Sequence, residues 1–171
     1  TRFNQHKKWD CKNLKSNLIS KSETSQVLSQ IRSQWKIQPP KLKNIKFHHI
    51  DDKGIIITGI GLTAIKIGEN IIPFLDDTSM LEKFPNVMVD MGAVKFVCKG
   101  ANVMRPGITK FSDFDVDDIV CIIEESHHKF LAVGKAKMSS EQINEVDKGE
   151  AIKNLHYISD EFWEIRKEIK C

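Results

Sequence analysis

The sequence AVKFVCKGANVMRPGI, at residues 93–108, decides the fold of the second half of this chain. It begins with an apolar run of β-forming residues, 94–98, which predicts a strand. If that strand extends to Lys99, then Lys95 and Lys99 point to the same face of it. Gly100 allows a tight backbone and the close approach of a ligand, so backbone N–H groups and cations here can meet phosphates.

These residues alone leave two interpretations open. In one, the segment forms a face that binds RNA, with Arg105-Pro106-Gly107 as a turn on that face. In the other, the glycines only turn a small barrel and the lysines only keep its surface solvated.

The rest of the second half consists of short elements. Apolar runs at 119–123, 130–138 and 152–158 predict strands. Ser139 with Gln142 predicts a capping box for a helix over 140–147, and residues 162–165 supply a closing apolar turn. Several short strands within about 80 residues indicate a small β-barrel.

The first half indicates a small α/β domain. Ser22 is a candidate N-cap for a helix that Pro39-Pro40 stops, and strands are predicted at 45–50, 54–60 and 62–67. A short helix capped by Thr78 follows. Pro85-Asn86 marks a boundary, so we expect an α+β protein with an N-terminal domain at 1–86 and a β-barrel domain at 87–171.

Charge is distributed unevenly along the chain. Residues 1–86 hold 14 basic and 8 acidic side chains, whereas residues 87–171 hold 12 and 15. Within the second half, 91–112 and 126–140 together carry seven basic residues and no acidic one. If these two segments lie side by side, an otherwise acidic half has one basic face that attracts phosphates.

The sequence contains no recognisable catalytic or metal-binding motif. There is no P-loop, no G-x-G-x-x-G and no G-x-S-x-G. His48-His49 lie on a predicted strand, where neighbours point to opposite faces and cannot chelate together, and we expect exposed histidines there and at His127-His128. The acidic residues of 113–118 lack the ligand pattern of a calcium loop, so we expect a solvated loop.

The cysteines and the hydropathy predict a cytoplasmic location. The four cysteines are widely spaced and form no C-x-x-C pair, which favours reduced thiols. No apolar run approaches the length of a membrane span, and the first residues lack the apolar region of a secretory signal.

Residues 93–108 closely resemble the start of a PUA domain, the module named after pseudouridine synthases and archaeosine transglycosylases. The likeness continues through AVGKAKMSSE at 132–141 and NLHYISDEFW at 154–163. The last run resembles one subgroup, the malignant T-cell-amplified sequence family with its translation machinery-associated relatives. By matching motif positions, the resemblance implies an RNA-facing loop of Lys95, Lys99, Gly100, Ala101, Arg105, Pro106 and Gly107, with Lys135 and Lys137 as neighbours.

The resemblance also implies a function. Members of the family are non-catalytic, so we expect no catalytic residue, no metal and no cofactor. They act on the small ribosomal subunit in reinitiation, in removal of deacylated tRNA and in unconventional delivery of initiator tRNA. The implied partners are small-subunit rRNA, tRNA and a density-regulated-protein-like factor, and the chain is expected to be a monomer on its own. The alternatives are an accessory RNA-binding subunit of an RNA-modification enzyme and a pure protein-interaction adaptor.

Overall fold

The computed structural model describes residues 14–169. It contains five α-helices, namely α1 (Lys21–Trp35), α2 (Thr78–Leu81), α3 (Met91–Val97), α4 (Ser140–Glu145) and α5 (Glu161–Glu168). Its strands are β1 (Lys15–Leu18), β2 (Lys46–Ile50), β3 (Gly54–Gly59), β4 (Leu62–Ile67), β5 (Asn70–Pro73), β6 (Asn86–Val89), β7 (Val103–Met104), β8 (Ile108–Phe111), β9 (Ile119–Glu124), β10 (Phe130–Ala136) and β11 (Glu150–Tyr157). None of the helices within 14–169 is long and apolar enough to cross a membrane.

The first sheet is an antiparallel meander in the order β1-β2-β3-β4-β5. The three predicted strands are confirmed as β2, β3 and β4, and β1 and β5 extend the sheet at its two edges. Helix α1 begins two residues earlier than predicted, because Ser20 is its N-cap and accepts a hydrogen bond from the Glu23 amide at 3.1 Å. It ends at Trp35, with Lys36 in the left-handed region, and so stops before Pro39-Pro40.

Helix α1 is fastened to β5 by buried groups. Val27, Ile31 and Trp35 face the sheet and join its core. The Trp35 indole Nε1 donates to the Ile71 carbonyl at 2.7 Å, and the Gln34 side chain accepts from the Ile71 amide at 2.8 Å. Burial of each large apolar side chain stabilises the fold by about 1.5–3 kcal/mol, so these contacts hold the helix in one position.

The second sheet is barrel-like and follows the order β7-β11-β10-β9-β6-β8. All its pairings are antiparallel except that of β6 with β9. The predicted buried strand at 119–123 is confirmed as β9, in which every residue is buried. The predicted α+β class, with a barrel in the second half, is therefore confirmed.

The ends of two further elements differ from the prediction. The capping box of α4 is present, with Ser139 Oγ accepting from the Gln142 amide at 3.2 Å and the Ser139 amide donating to Gln142 at 2.9 Å. The helix ends at Glu145, two residues before the predicted end at 147, because Val146 is already extended. Residues 162–165, expected as a turn, lie within α5, which Asp160 caps by accepting from the Trp163 amide at 2.8 Å.

A buried histidine joins the two sheets. His156 on β11 is fully buried, and its Nε2 accepts a hydrogen bond from the amide of Leu75, which follows β5. The other ring nitrogen, Nδ1, therefore donates to Asp160, 2.7 Å away. The imidazole also contacts Phe74, with 4.6 Å between ring centroids. One side chain thus ties the connection after the first sheet to the last strand of the second.

The C-terminal helix returns to the first sheet. Ile165 of α5 is fully buried and packs with Ile50 and Ile56 on the sheet face opposite to α1. The Phe162 ring lies 3.2 Å from where a Cβ on Gly54 would stand, so the β2–β3 turn is shaped to receive the helix. Helix α5 follows directly from the second sheet, and its packing fixes how the two sheets are oriented.

The histidines of β2 correct one expectation. His48 and His49 do point to opposite faces, but only His49 is exposed, whereas His48 is buried. The His48 ring lies 2.7 Å from Ser16 Oγ on β1 and 2.8 Å from Thr58 Oγ1 on β3. The strand pattern alone did not reveal that neighbouring hydroxyl groups satisfy this ring and allow its burial.

Replacing His156 should destabilise the whole protein. His156→Ala leaves the Asp160 carboxylate and the Leu75 amide without a partner and opens a cavity, so the free energy of unfolding should fall by about 3–5 kcal/mol. Urea denaturation measures this change. The control is His127→Ala in an exposed turn, which should change the value by less than about 0.5 kcal/mol. Equal effects of the two variants would contradict the role given to His156.

The buried His48 should make stability depend on pH. Burial, followed by the charges of Arg166, Lys46 and His49, lowers the pKa of His48 in the folded protein. The unfolded chain therefore takes up the proton first as the pH falls below about 6.5, and the free energy of unfolding decreases from that pH downward. Denaturation of His48→Gln between pH 7 and pH 5 should show a weaker decrease than the unmodified protein. An unchanged slope would refute this assignment.

Candidate nucleic-acid interface

The segment 94–98, predicted as a strand, forms the end of helix α3 instead, with Cys98 as the C-cap of that helix. Asp90 caps this helix, and its carboxylate accepts a hydrogen bond from the Ala93 amide at 2.9 Å. Val97 faces inward, while Lys95 and Phe96 are exposed. The prediction was wrong because local β-propensity is overridden by the N-cap and by tertiary packing. Lys95 and Lys99 consequently do not share a strand face.

A glycine turn ends α3. Gly100 has a φ of +95°, a conformation that L side chains rarely adopt, and its amide donates to the Val97 carbonyl at 3.0 Å. A Cβ at this position would stand 3.0 Å from the Tyr157 ring. The Ala101 amide then returns to the Phe96 carbonyl at 3.0 Å. The tight backbone that the sequence predicted at Gly100 is confirmed.

Strand β11 fastens this turn to the barrel. The side-chain amide of Asn154 donates to the carbonyls of Val97 and Ala101, each at 3.1 Å. The Asn154 backbone amide donates to Asn102 Oδ1 at 2.9 Å. These bonds occupy carbonyls that the helix end would otherwise leave open, so α3 and the following turn move as one unit with the barrel.

A mostly apolar groove of about 400 Å³ opens between α3 and the residues after it. Its lining comprises Gly92, Ala93, Phe96, Val97, Ala101, Asn102, Val103, Met104 and Gly107. Two of its large apolar side chains are unusually accessible, since Phe96 is 56% exposed and Met104 is 49% exposed. The ammonium of Lys95 lies 5.1 Å from the centre of the Phe96 ring. A ring beside a cation can stack on an unpaired base while the cation meets a phosphate.

Arg105 has a structural role in this region. It begins a short 3-10 turn, Arg105–Gly107, and its Nε donates to the carbonyls of Ile143 at 2.7 Å and Val146 at 3.0 Å. Its Nη1 also donates to the Ile108 carbonyl at 3.3 Å. The guanidinium thus donates hydrogen bonds to carbonyls at the C-terminal end of α4 and attaches that helix to the 3-10 turn.

The two lysines of the β10 segment take part in different contacts. Lys137 forms an ion pair with Glu150. Hydrogen bonds from Lys137 and from the Asn102 side-chain amide lower the pKa of the Glu150 carboxyl. Glu150 therefore links Lys137 to the edge of the groove. Lys135 instead donates to Asn70 Oδ1 at 3.0 Å and lies in a cleft with Lys36 and Asp118 that contains none of residues 91–107.

The predicted RNA-facing residues are therefore only partly brought together. Lys95 is on α3, Lys99 and Gly100 are in the turn after it, Ala101 and Gly107 line the groove, and Pro106 is exposed beside them. Lys137 lies near the groove, whereas Lys135 lies in the cleft between the sheets. Among residues 14–169, Lys95 and Lys99 have no carboxylate partner within ion-pair distance.

The sequence did not indicate Phe96 and Met104 as groove residues. A strand interpretation placed Phe96 in a continuous apolar run and gave no reason to expect its exposure. Asp90 followed by inward positions at Ala93 and Val97 was the available signal for a helix, since these positions are four residues apart.

The acidic loop at 113–118 is solvated as expected at Asp113, Asp115 and Asp117, which are exposed, and two lysines lie beside it. The Lys36 ammonium lies 2.7 Å from the Asp118 carboxylate and 3.6 Å from that of Asp115. Asp117 lies 4.0 Å from Lys135. Within the part of the chain that the structure describes, no three metal-binding side chains cluster together.

The sequence of this chain is similar to those of known proteins. The model of the PUA domain family matches residues 85–158. Malignant T-cell-amplified sequence 1 of Rattus norvegicus is 36% identical over 172 residues, covering 92% of this chain and 91% of the relative. Translation machinery-associated protein 20 of Eremothecium gossypii is 37% identical over 89 residues, covering 48% of this chain and 49% of that protein.

A solved structure supports the whole fold. The crystal structure of a hypothetical protein from the archaeon Pyrococcus horikoshii is 28% identical, with a TM-score of 0.73. The similarity covers 88% of this chain and 99% of that one, so both sheets are included.

Arg105 should contribute to stability, unlike the exposed lysine close to it. Arg105→Gln removes hydrogen bonds to three backbone carbonyls and should lower the free energy of unfolding by about 1–3 kcal/mol. Lys99→Gln, in the turn after α3, should change it by less than about 0.5 kcal/mol. Chemical denaturation of both variants makes the comparison. If the two variants were equally stable, the anchoring role of Arg105 would be wrong.

Proposed function

This chain belongs to the malignant T-cell-amplified sequence family of PUA-domain proteins, and we propose that it acts as a non-catalytic RNA-binding factor on the small ribosomal subunit. The observation that carries the proposal is the α3 groove, where Phe96 and Met104 are exposed beside Lys95 and Lys99. The names of the relatives associate the family with the translation machinery.

The chemistry of the groove suits RNA. The two lysines supply the electrostatic attraction to phosphates, which is independent of base sequence. The apolar floor and the Phe96 ring can hold a base that is not stacked in a helix. Gly92 and Gly107 line the groove without side chains, so a nucleotide can approach the backbone closely there.

The proposed mechanism is positioning. The barrel binds small-subunit rRNA through the α3 face, and the first sheet, held rigidly through His156 and α5, is carried to a fixed place on the subunit. We assign to this binding the steps that the family resemblance implies, namely reinitiation, removal of deacylated tRNA and unconventional delivery of initiator tRNA in the cytoplasm. A density-regulated-protein-like factor is the proposed protein partner.

Reversing the two free charges of the α3 face should abolish most binding. Lys95→Glu with Lys99→Glu should weaken cosedimentation with small ribosomal subunits by at least about tenfold and flatten the salt dependence by about 1.5 in log–log slope, since two phosphate contacts are lost. The free energy of unfolding should stay within about 0.5 kcal/mol.

The matched control reverses two exposed lysines outside the barrel, Lys46→Glu with Lys83→Glu. This control should retain most of the binding. Equal losses in the two double variants would show that only net charge matters, and unchanged binding in the first would rule out the α3 face.

A further inference from the structure

One side of the first sheet exposes a row of cationic and ring-bearing side chains. Residues that pair across antiparallel strands point to the same face, and the pairing Lys15–His49–Ile55–Lys66 runs across β1, β2, β3 and β4. With about 4.8 Å between strands, the row is about 14 Å long. Lys15 and His49 are exposed, and Ile55 and Lys66 are half-buried.

Helix α1 lies on the same side and covers the β5 end of this row, where Ile71 pairs with Lys66 and is fully buried, whereas Lys15 and His49 at the other end are exposed. The next row contains Ile57 and Ala64, which are fully buried and belong to the core that includes α1. Phe47 stands in that row beside His49, with 6.3 Å between ring centroids in an edge-to-face arrangement. The His49 ring is held by Asn17, whose Oδ1 is 3.1 Å from Nε2. The ring of His49 is therefore oriented by its neighbours before any ligand arrives.

Positive charge predominates on the strands that carry the row, and the neighbouring carboxylates are those of Asp51 and Asp52 in the β2–β3 turn and of Glu69 between β4 and β5. Strands β1 to β4 contain no acidic residue, and α1 contains only Glu23. Within residues 14–169, Lys15 and Lys66 have no carboxylate within ion-pair distance. Residues 1–13, which precede β1 in the sequence, carry four basic residues and one acidic residue, so they do not complement this charge. A polyanion does complement it.

We propose that the row Lys15, His49, Ile55 and Lys66 is a second RNA-binding surface, and that it takes a single-stranded segment. The lysines at its two ends meet phosphates, and the rings of His49 and Phe47 stack on unpaired bases, which all present a π-face. An open sheet surface with rings flanked by cations is a geometry suited to splayed bases, whereas a duplex hides its bases from such a surface. The inference rests on the proposed RNA-binding function and adds a ligand class and a site to it.

Fluorescence titration of the full chain tests the proposal, with a labelled oligouridine of about twelve nucleotides and a duplex RNA of similar length as probes. Lys15→Ala with Lys66→Ala should weaken oligouridine binding about tenfold and flatten its salt slope by about 1.4, at about 0.7 per contact. His49→Ala should weaken it severalfold, and His49→Phe should restore it, because a ring is needed rather than a titratable group.

The control Lys46→Ala with Lys83→Ala removes the same charge, and Lys46 points to the opposite sheet face from Lys15. If the row variants bind oligouridine as tightly as this control does, the proposal is overturned. The row would then be a surface that binds no RNA or that binds a protein. Equal losses for oligouridine and duplex would overturn the assignment to single strands. Lys95→Glu with Lys99→Glu, titrated in parallel, separates the two surfaces. If only that variant loses RNA binding, the row is not an RNA-binding surface and the proposed function stands. If neither that variant nor the row variants lose RNA binding, both the row and the proposed function are wrong.

Discussion

The buried imidazole of His156 is the contact on which the arrangement of this molecule depends. Its Nε2 holds the Leu75 amide after the first sheet, and its Nδ1 holds Asp160, which in turn caps α5. Because α5 packs Ile165 against Ile50 and Ile56, the same few residues define where the second sheet ends and how the first sheet sits on it. The two ring nitrogens thus give the Leu75 amide and the Asp160 carboxylate each a hydrogen-bond partner in the interior.

The same strand also orders the candidate interface. Asn154, two residues before His156 on β11, holds the carbonyls at the end of α3. The α3 groove and the cationic row of the first sheet are consequently parts of one rigid body, with a spacing set by β11 and α5. An RNA that met both surfaces would have to match that spacing, and a factor that works by positioning needs such a constraint.

The sequence was sufficient where a local signal and the tertiary structure agree. The uninterrupted apolar run of β9 and the capping box at Ser139 predicted their elements directly, and the family resemblance placed the barrel. It was insufficient where distant partners decide. Arg105 donates hydrogen bonds to the carbonyls of Ile143 and Val146, about forty positions away in the sequence. Lys135 donates one to Asn70 on the other sheet. No spacing rule connects such residues. The exposure of Phe96 could not be predicted from a strand, because it results from the helical conformation of residues 91–97.

A cryo-electron microscopy map of the full chain bound to the small ribosomal subunit tests the central claim most directly. We expect the α3 face, with Phe96, Lys95 and Lys99, to lie against rRNA, with density for nucleotides in the groove between α3 and Met104. A map in which that face points into solvent while another side of the barrel contacts the subunit would contradict the assignment.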